Sequence, residues 1–208
     1  MNLEIYHTGP FQVNTYVLKD PVSKEAVLID VGGSFEVLKS ALDKDGYKIK
    51  FILNTHGHFD HVLGEAEVQK NYPEIPIYMH KDDISHFSRL KEKMAYFGCK
   101  SDAEPLKLNE FIDENSSLNI GSNAIKIFHT PGHSKGSLSY YADGMLFSGD
   151  ALFRRDIGRT DFYDGDYDTL INSIKTKLLT LPEDTQVYPG HGAKTTIREE
   201  KLYNTYLK

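Results

Sequence analysis

The chain is almost without cysteine: Cys99 is the single one among 208 residues. That excludes a disulfide within one chain, and it excludes a cysteine-built zinc site or iron–sulfur cluster. Tryptophan is absent, and basic residues are short, with 24 Lys and Arg against 30 Asp and Glu for a net charge of -6. A general nucleic-acid binder would carry the opposite balance, so no nucleic-acid partner is expected. No apolar run reaches the roughly 18 residues of a membrane span. The opening Met-Asn-Leu-Glu-Ile-Tyr-His lacks the basic-then-apolar pattern of a secretory leader. No membrane partner is expected, and the cytoplasm is the expected compartment. Repeats and low-complexity tracts are also missing. A hydrophobic share of 39% with 12% aromatics suffices for a core. The length fits one domain over residues 1–208. Against these shortages stand nine histidines. A chain that binds metal without cysteine must use His, Asp and Glu, so their placement carries the reading.

Hydrophobic periodicity predicts strands at Leu3 to Tyr6, Asn14 to Leu18, Ala26 to Val31 and Ile49 to Leu53. Between the last two, a helix is expected with Ser34 as N-cap and Gly46 at its end, carrying Phe35, Val37, Leu38, Ala41 and Leu42. A further helix after His61 turns Val62, Leu63, Ala66 and Val68 inward, and a strand follows at Ile75 to Met79. Residues 81–110 mix charge and aromatics; the expectation is a helix from Asp82 to Leu90, then an irregular excursion that either covers the domain or serves function. The second half reads as strands at Asn123 to His129, Ser137 to Tyr141, Met145 to Phe147 and Gln186 to Tyr188. Ala142-Asp143-Gly144 makes a hairpin turn, and helices fall at Asp168 to Leu179 and Thr196 to Tyr206. Two halves of strands followed by helices imply two sheets face to face with helices outside, an α+β sandwich.

The strongest local signal is Thr55-His56-Gly57-His58-Phe59-Asp60-His61, directly after a buried strand. In extended backbone, His56 and His58 share a face and can bind one ion. A helix starting near Asp60 turns Asp60 and His61 toward a second ion. Further ligands are sought where a metal-binding side chain sits beside Gly or Pro after an apolar strand. His129-Thr130-Pro131-Gly132-His133, Phe147-Ser148-Gly149-Asp150 and Tyr188-Pro189-Gly190-His191 fit. Glycine lets the backbone turn sharply there. His133, Asp150 and His191 thus complete the candidate set, and imidazole with carboxylate suits Zn, Fe or Mn. His129 reads as a strand histidine; His7, His80 and His86 read as surface or hydrogen-bonding residues, and Cys99 as an ordinary thiol.

These motifs, with Asn14-Thr15-Tyr16, Ile29-Asp30 and the glycines at 32 and 33, resemble the metallo-β-lactamase-fold hydrolases over nearly the whole chain. In order and spacing they resemble the glyoxalase II-like (hydroxyacylglutathione hydrolase-like) branch. The resemblance implies a four-layer αββα sandwich with a dinuclear site, most simply two Zn, with Fe or Mn as alternatives. It implies that His56, His58 and His133 hold one ion, that Asp60, His61 and His191 hold the other, and that Asp150 bridges. Asp60 would also orient the nucleophile as the catalytic carboxylate. The implied reaction is hydrolysis of a thioester such as S-acylglutathione, a small-molecule substrate. The segment Gly149 to Phe162 is similar to short glyoxalase II-like hydrolases and offers Arg159 as a substrate contact, with an ion pair to a nearby Asp as the alternative. One departure stands out: full-length glyoxalase II carries a C-terminal helical domain, whereas 17 residues follow His191 here, room for about one helix.

Persulfide dioxygenases share that segment, so a mononuclear iron enzyme using His56, His133 and Asp150 is the main alternative function. A catalytically silent metal-binding module is a third reading, opposed by seven intact ligand positions where structural sites are usually four-coordinate. A β-lactamase is disfavoured because Asp150 stands where such enzymes often place Cys or Ser. The oligomeric state is not readable from the sequence.

Overall fold

The computed structural model describes residues 1–98, 108 and 110–208. Cys99 and half of the predicted excursion, residues 99–107 and 109, lie outside the described residues. The first sheet has six strands in chain order: β1 (Asn2–Thr8), β2 (Val13–Asp20), β3 (Glu25–Ile29), β4 (Lys48–Leu53), β5 (Ile77–Met79) and β6 (Glu110–Phe111). The hairpins β1–β2 and β2–β3 are antiparallel, and β3 to β6 run parallel. Parallel neighbours need a crossover, which α1 (Glu36–Asp45) supplies between β3 and β4, and α2 (Phe59–Val62) with α3 (Glu65–Asn71) between β4 and β5. α4 (Ile84–Ser88) and α5 (Leu90–Tyr96) follow β5.

The second sheet is built from β7 (Leu118–Ile120), β8 (Asn123–His129), β9 (Leu138–Ala142), β10 (Met145–Gly149), β13 (Gln186–Pro189) and β14 (Thr195–Thr196). A two-strand ribbon, β11 (Leu152–Phe153) with β12 (Asp156–Ile157), precedes α6 (Tyr167–Ser173), and α7 (Ile197–Tyr203) follows β14. At the β9–β10 turn, Asp143 and Gly144 both take positive φ, 50° and 75°, the conformation that a two-residue hairpin demands.

Strand alternation separates the layers. Tyr16, Leu18, Val27, Ile29, Phe51 and Leu53 face the second sheet, meeting Ile125, Ile127, Leu138, Tyr140 and Phe147 in the central core. Their chain neighbours Val17, Leu28 and Ile52 point outward and are covered by Phe35, Leu38, Leu42 and Val68. On the far side, Phe128, Leu146 and Val187 are covered by Leu170, Ile174, Leu178 and Ile197. The result is the αββα sandwich that the sequence implied.

Local differences have local causes. Ser34 does not cap α1 in the usual way; Phe35 takes the N-cap position, and its backbone N–H donates to Oε2 of Glu67 at 2.8 Å. Val37 faces solvent. Gly46 ends α1 as expected, with φ 69°. The single helix expected after His61 breaks into α2 and α3, and Gly64 at the break donates to the Val31 carbonyl at 2.8 Å. The helix predicted from Asp82 to Leu90 is a 3₁₀ turn, α4 and the start of α5. The α6 helix gives way to a π-helical stretch over Ile174–Leu178. Among the described residues, no helix is long and apolar enough to cross a membrane.

Candidate metal centre

The loops after β4, β8, β10 and β13 meet at one edge of the sandwich, and each carries candidate ligands. Leu138 N–H donates to the Thr55 carbonyl at 2.7 Å and ties the two sheets together there. All seven predicted side chains converge on this edge. Nε2 of His56 lies 3.0 Å from Nδ1 of His58, and Nε2 of His133 lies 2.9 Å from the same atom. Beside this trio, Oδ2 of Asp60 lies 3.4 Å from Nε2 of His191 and 3.8 Å from Nε2 of His61. Asp150 stands between the groups. Its Oδ2 lies 3.7 Å from Nε2 of His133 and 3.8 Å from Nε2 of His191, while Oδ1 lies 3.5 Å from Nε2 of His61.

Backbone geometry allows this crowding. His58 is extended, at φ -66° and ψ 141°, and α2 begins at the next residue, so the chain turns between the first pair of ligands and the second. Gly190 packs with no side chain against Oδ1 of Asp150 and Cε1 of His61; any larger residue would push into the centre. Asn14 fixes the His191 loop by donating from Nδ2 to the carbonyls of Pro189 and Gly192, each at 2.9 Å.

Outer hydrogen bonds decide which nitrogen of each imidazole faces inward. Nδ1 of His133 donates to the Arg159 carbonyl at 2.8 Å, leaving the Nε2 lone pair free. Nδ1 of His61 donates to Oδ2 of Asp30 at 3.0 Å with the same effect. Thr55 Oγ1 gives its own proton to Asp30 at 2.7 Å, so at 3.1 Å it accepts from Nδ1 of His56. Asp30 also accepts from the Thr55 N–H at 2.7 Å and is held at φ 54°. Ser134, by contrast, serves no imidazole; it donates to Oδ2 of Asp83 at 2.8 Å. Asp83 also accepts from the Gly57 N–H at 2.8 Å and the Gly136 N–H at 2.6 Å. One buried carboxylate thus straps the His56–His58 loop to the His133 loop.

Charge divides the centre. Burial, reinforced by neighbouring imidazoles, holds His56 and His58 well below the usual histidine range. Burial also works against a charged His61, but Asp150, Asp30 and Asp60 outweigh it and push the imidazole well up. His191 is raised likewise, with burial opposed chiefly by Asp60. Burial would raise both carboxyls, yet His61 and its neighbours hold Asp60 and Asp150 below the usual carboxylate range. Anionic carboxylates and neutral imidazoles are the forms that metals require. Nε2 of His61 and Oδ1 of Asp150 are buried and have no hydrogen-bond partner. Orphaned atoms of this kind, aimed at one point, fit a cation that both would coordinate.

The Arg159 guanidinium is engaged elsewhere. It donates from Nε and Nη2 to Asp161 at 2.9 and 2.8 Å, and it lies over the Phe162 ring at 4.6 Å. The ion-pair alternative for its side chain is what the structure shows, and the residue meets the centre through its carbonyl. Three further features escaped the sequence reading. His86 reaches the centre, its ring 4.9 Å from that of His58, in a chain with Asp164 and Lys93. His80 and His129 stack at 4.4 Å. Asp83 is fully buried. His86 and Asp164 are 78 positions apart, so no local spacing announces them.

An αββα sandwich with imidazoles and carboxylates gathered at one edge defines a class, the metallo-hydrolase fold that binds divalent metals. The chain belongs to the metallo-beta-lactamase superfamily, whose family profile matches residues 8–191. Members of that superfamily are generally metal-dependent hydrolases. Among curated proteins, the chain is 38% identical over 210 residues to the hydroxyacylglutathione hydrolase GloC of Haemophilus influenzae, covering 100% of this chain and 98% of that protein. Among solved structures, it resembles the B3 metallo-beta-lactamase BLEG-1, with TM-score 0.86, 38% identity and 99% of both chains covered. It also resembles TTHA1623 in a di-iron-bound form, with TM-score 0.87 and 32% identity over 98% of this chain and 100% of that one.

Proposed function

We propose that this protein is a dinuclear-metal-dependent hydrolase of acyl thioesters, S-acylglutathione-like substrates first among them. The observation that carries the reading is the pair of ligand groups joined by Asp150, whose Oδ2 lies near both His133 of one group and His191 of the other while its Oδ1 faces His61. Likeness over essentially full length to a hydroxyacylglutathione hydrolase supports the substrate class. His56, His58 and His133 would hold one ion, Asp60, His61 and His191 the other, with Asp150 shared. Zinc is the first choice, and iron or manganese suits the same donors. Bound there, such ions supply Lewis acidity and a hydroxide nucleophile near neutral pH.

The residues divide the remaining work. Asp60, partly exposed and 3.4 Å from His191, stands where the centre opens and orients the nucleophile. The Thr55–His56, Asp30–His61 and Arg159–His133 bonds hold three imidazoles in fixed tautomers, so little reorganisation accompanies the reaction. Phe162 packs its ring edge-on against His133 and His58, at 5.5 and 5.2 Å, and walls that side of the centre from water. Arg159 pairs with Asp161 at the exposed surface and would meet an anionic group of the substrate by exchanging that partner. The cytoplasm, with its acyl thioesters and reduced thiols, is the compartment this reading assigns.

The test is elemental analysis of protein purified without added metal, followed by paired assays. Two metals per chain with thiol release from S-lactoylglutathione is the expected result. One iron per chain with oxygen uptake on glutathione persulfide would overturn the reading in favour of the dioxygenase. A metal-loaded protein inert toward thioesters, esters, lactones and persulfides would leave the silent module. Asp150→Ala is expected to lose dinuclear loading.

A further inference from the structure

We propose that Lys93 is a cationic anchor at the mouth of the metal centre, aimed by His86 and Asp164, and that it binds a carboxylate on the substrate. The inference rests on the hydrolase reading above and names the charge class of its substrate. Oδ2 of Asp164 lies 2.6 Å from Nε2 of His86, with both side chains nearly buried. A carboxylate there accepts the Nε2 proton and leaves the lone pair of the ring on Nδ1. Nδ1 in turn accepts from the Lys93 ammonium at 3.0 Å. The direction of the chain is therefore fixed, and Nζ is pinned with two of its three N–H groups still to place. It is pinned one imidazole away from His58.

The partner of Lys93 differs from those of several other basic side chains. Lys19, Lys39, Lys50 and Lys177 each meet a carboxylate, as do Arg89 and Arg159. Among the described residues, no carboxylate lies within ion-pair distance of Nζ of Lys93; its hydrogen-bond partner is the His86 ring. Lys93 is half-buried, so its charge is only partly answered by water. A cation held beside a reactive centre, with no carboxylate at ion-pair distance, attracts an anion of the substrate. In a chain of net charge -6, a local positive site is needed to draw one in. Gly57 contributes by leaving His86 room: a Cβ there would lie 3.1 Å from that of His86. A lysine that merely solvates a helix face would not require a buried Asp–His pair to aim it. Oδ1 of Asp164 remains buried without a hydrogen bond, so the carboxylate is held through the bond of Oδ2 to His86.

The experiment compares two thioesters of one acyl group on metal-loaded protein. One is S-lactoylglutathione, which bears carboxylates; the other is S-lactoyl-N-acetylcysteamine, which bears none. Lys93→Met should raise KM for the first about tenfold with kcat changed less than twofold, and leave KM for the second unmoved. It should also remove the dependence of KM on salt, which Lys93→Arg should largely restore. Asp164→Asn, acting by position, should shift the ratio of the two KM values in the same direction at unchanged metal content. Equal effects on both thioesters, or none on either, overturn the anchor. If wild-type protein cleaves neither, the hydrolase reading fails by itself. Calorimetry with S-methylglutathione then judges the anchor: binding lost in Lys93→Met supports it, and equal binding overturns it.

Discussion

Nδ1 of His61 lies 3.0 Å from Oδ2 of Asp30, so a residue at the end of β3 aims an imidazole that the next crossover delivers. The same carboxylate receives both the N–H and the hydroxyl of Thr55. Asp30→Asn should keep the positive φ, which Asn tolerates, but remove the charge that orients His61. Metal affinity is expected to fall by about 10–100-fold, read by competition with a chromophoric chelator. Asp30→Ala should in addition lower Tm, because a strained backbone would then hold no acceptor for Thr55.

Asp83 predicts a coupled loss. Its Ala variant leaves Gly57 N–H, Gly136 N–H and Ser134 Oγ without their acceptor in a buried place. Destabilisation of about 3 kcal/mol or more is expected, measured by urea unfolding. Because the strap joins the loops of His58 and His133, metal stoichiometry should fall as well. Unchanged stoichiometry at reduced stability would show that the loops hold their places without it.

Loading of the centre should depend on pH with a definite sign. In metal-free protein, the raised pKa values of His61 and His191 keep protons on these rings near neutrality. Metal must displace them, so binding releases protons and tightens as pH rises. Calorimetry in two buffers of different ionisation enthalpy measures that release, which should shrink in alkaline buffer. Stability of the chelated protein follows by linkage. The raised imidazoles stabilise below their unfolded pKa, and this is lost as pH rises through the folded value. The depressed Asp60 and Asp150 stabilise above their unfolded pKa, and this is lost on acidification. The Tm of chelated protein should therefore fall on both flanks of neutrality.

Glu65 gives a cleaner titration, away from the ligands. It is fully buried on α3, neither carboxylate oxygen has a hydrogen-bond partner, and burial pushes its pKa well up. The unfolded chain ionises this group first as pH rises, so Glu65 costs stability above the ordinary carboxylate range and none below it. Glu65→Gln should raise Tm by a few degrees at pH 8 and leave it unchanged at pH 4. A uniform shift at both pH values would refute the assignment.

Local chemistry made much of this protein legible in its sequence. A run such as Ala26 to Ile29 must put alternate side chains on each face, and both faces being apolar required two covering layers. The β8 strand matched its expected limits because Asn123 to His129 alternates clearly between turns. The ligands at 56, 58, 60 and 61 stood out because they fall within six residues, between the end of one strand and the first turn of the next helix. His133, Asp150 and His191 were legible through the glycine and proline that let a loop turn after a strand.

Tertiary structure alone decided what each of those groups touches. Helix boundaries moved where distant partners intervened, as when Glu67 took the Phe35 N–H and the N-cap position fell at Phe35, with Ser34 Oγ still accepting from the Glu36 N–H at 3.4 Å. Asp83 and the His86–Asp164 pair became visible only when separate crossovers packed at one edge, because a hydrogen bond across tens of residues leaves no spacing to read. Arg159 shows the converse. Its sequence position offered either a substrate contact or an ion pair, and the structure adds the pair with Asp161, whose geometry residue type alone does not specify. Periodicity and backbone freedom are properties of a short segment, and so the sequence by itself determined the layers and the ligand loops. Protonation, orientation and the charge left unpaired beside the metal centre depend on neighbours, and those the fold supplied.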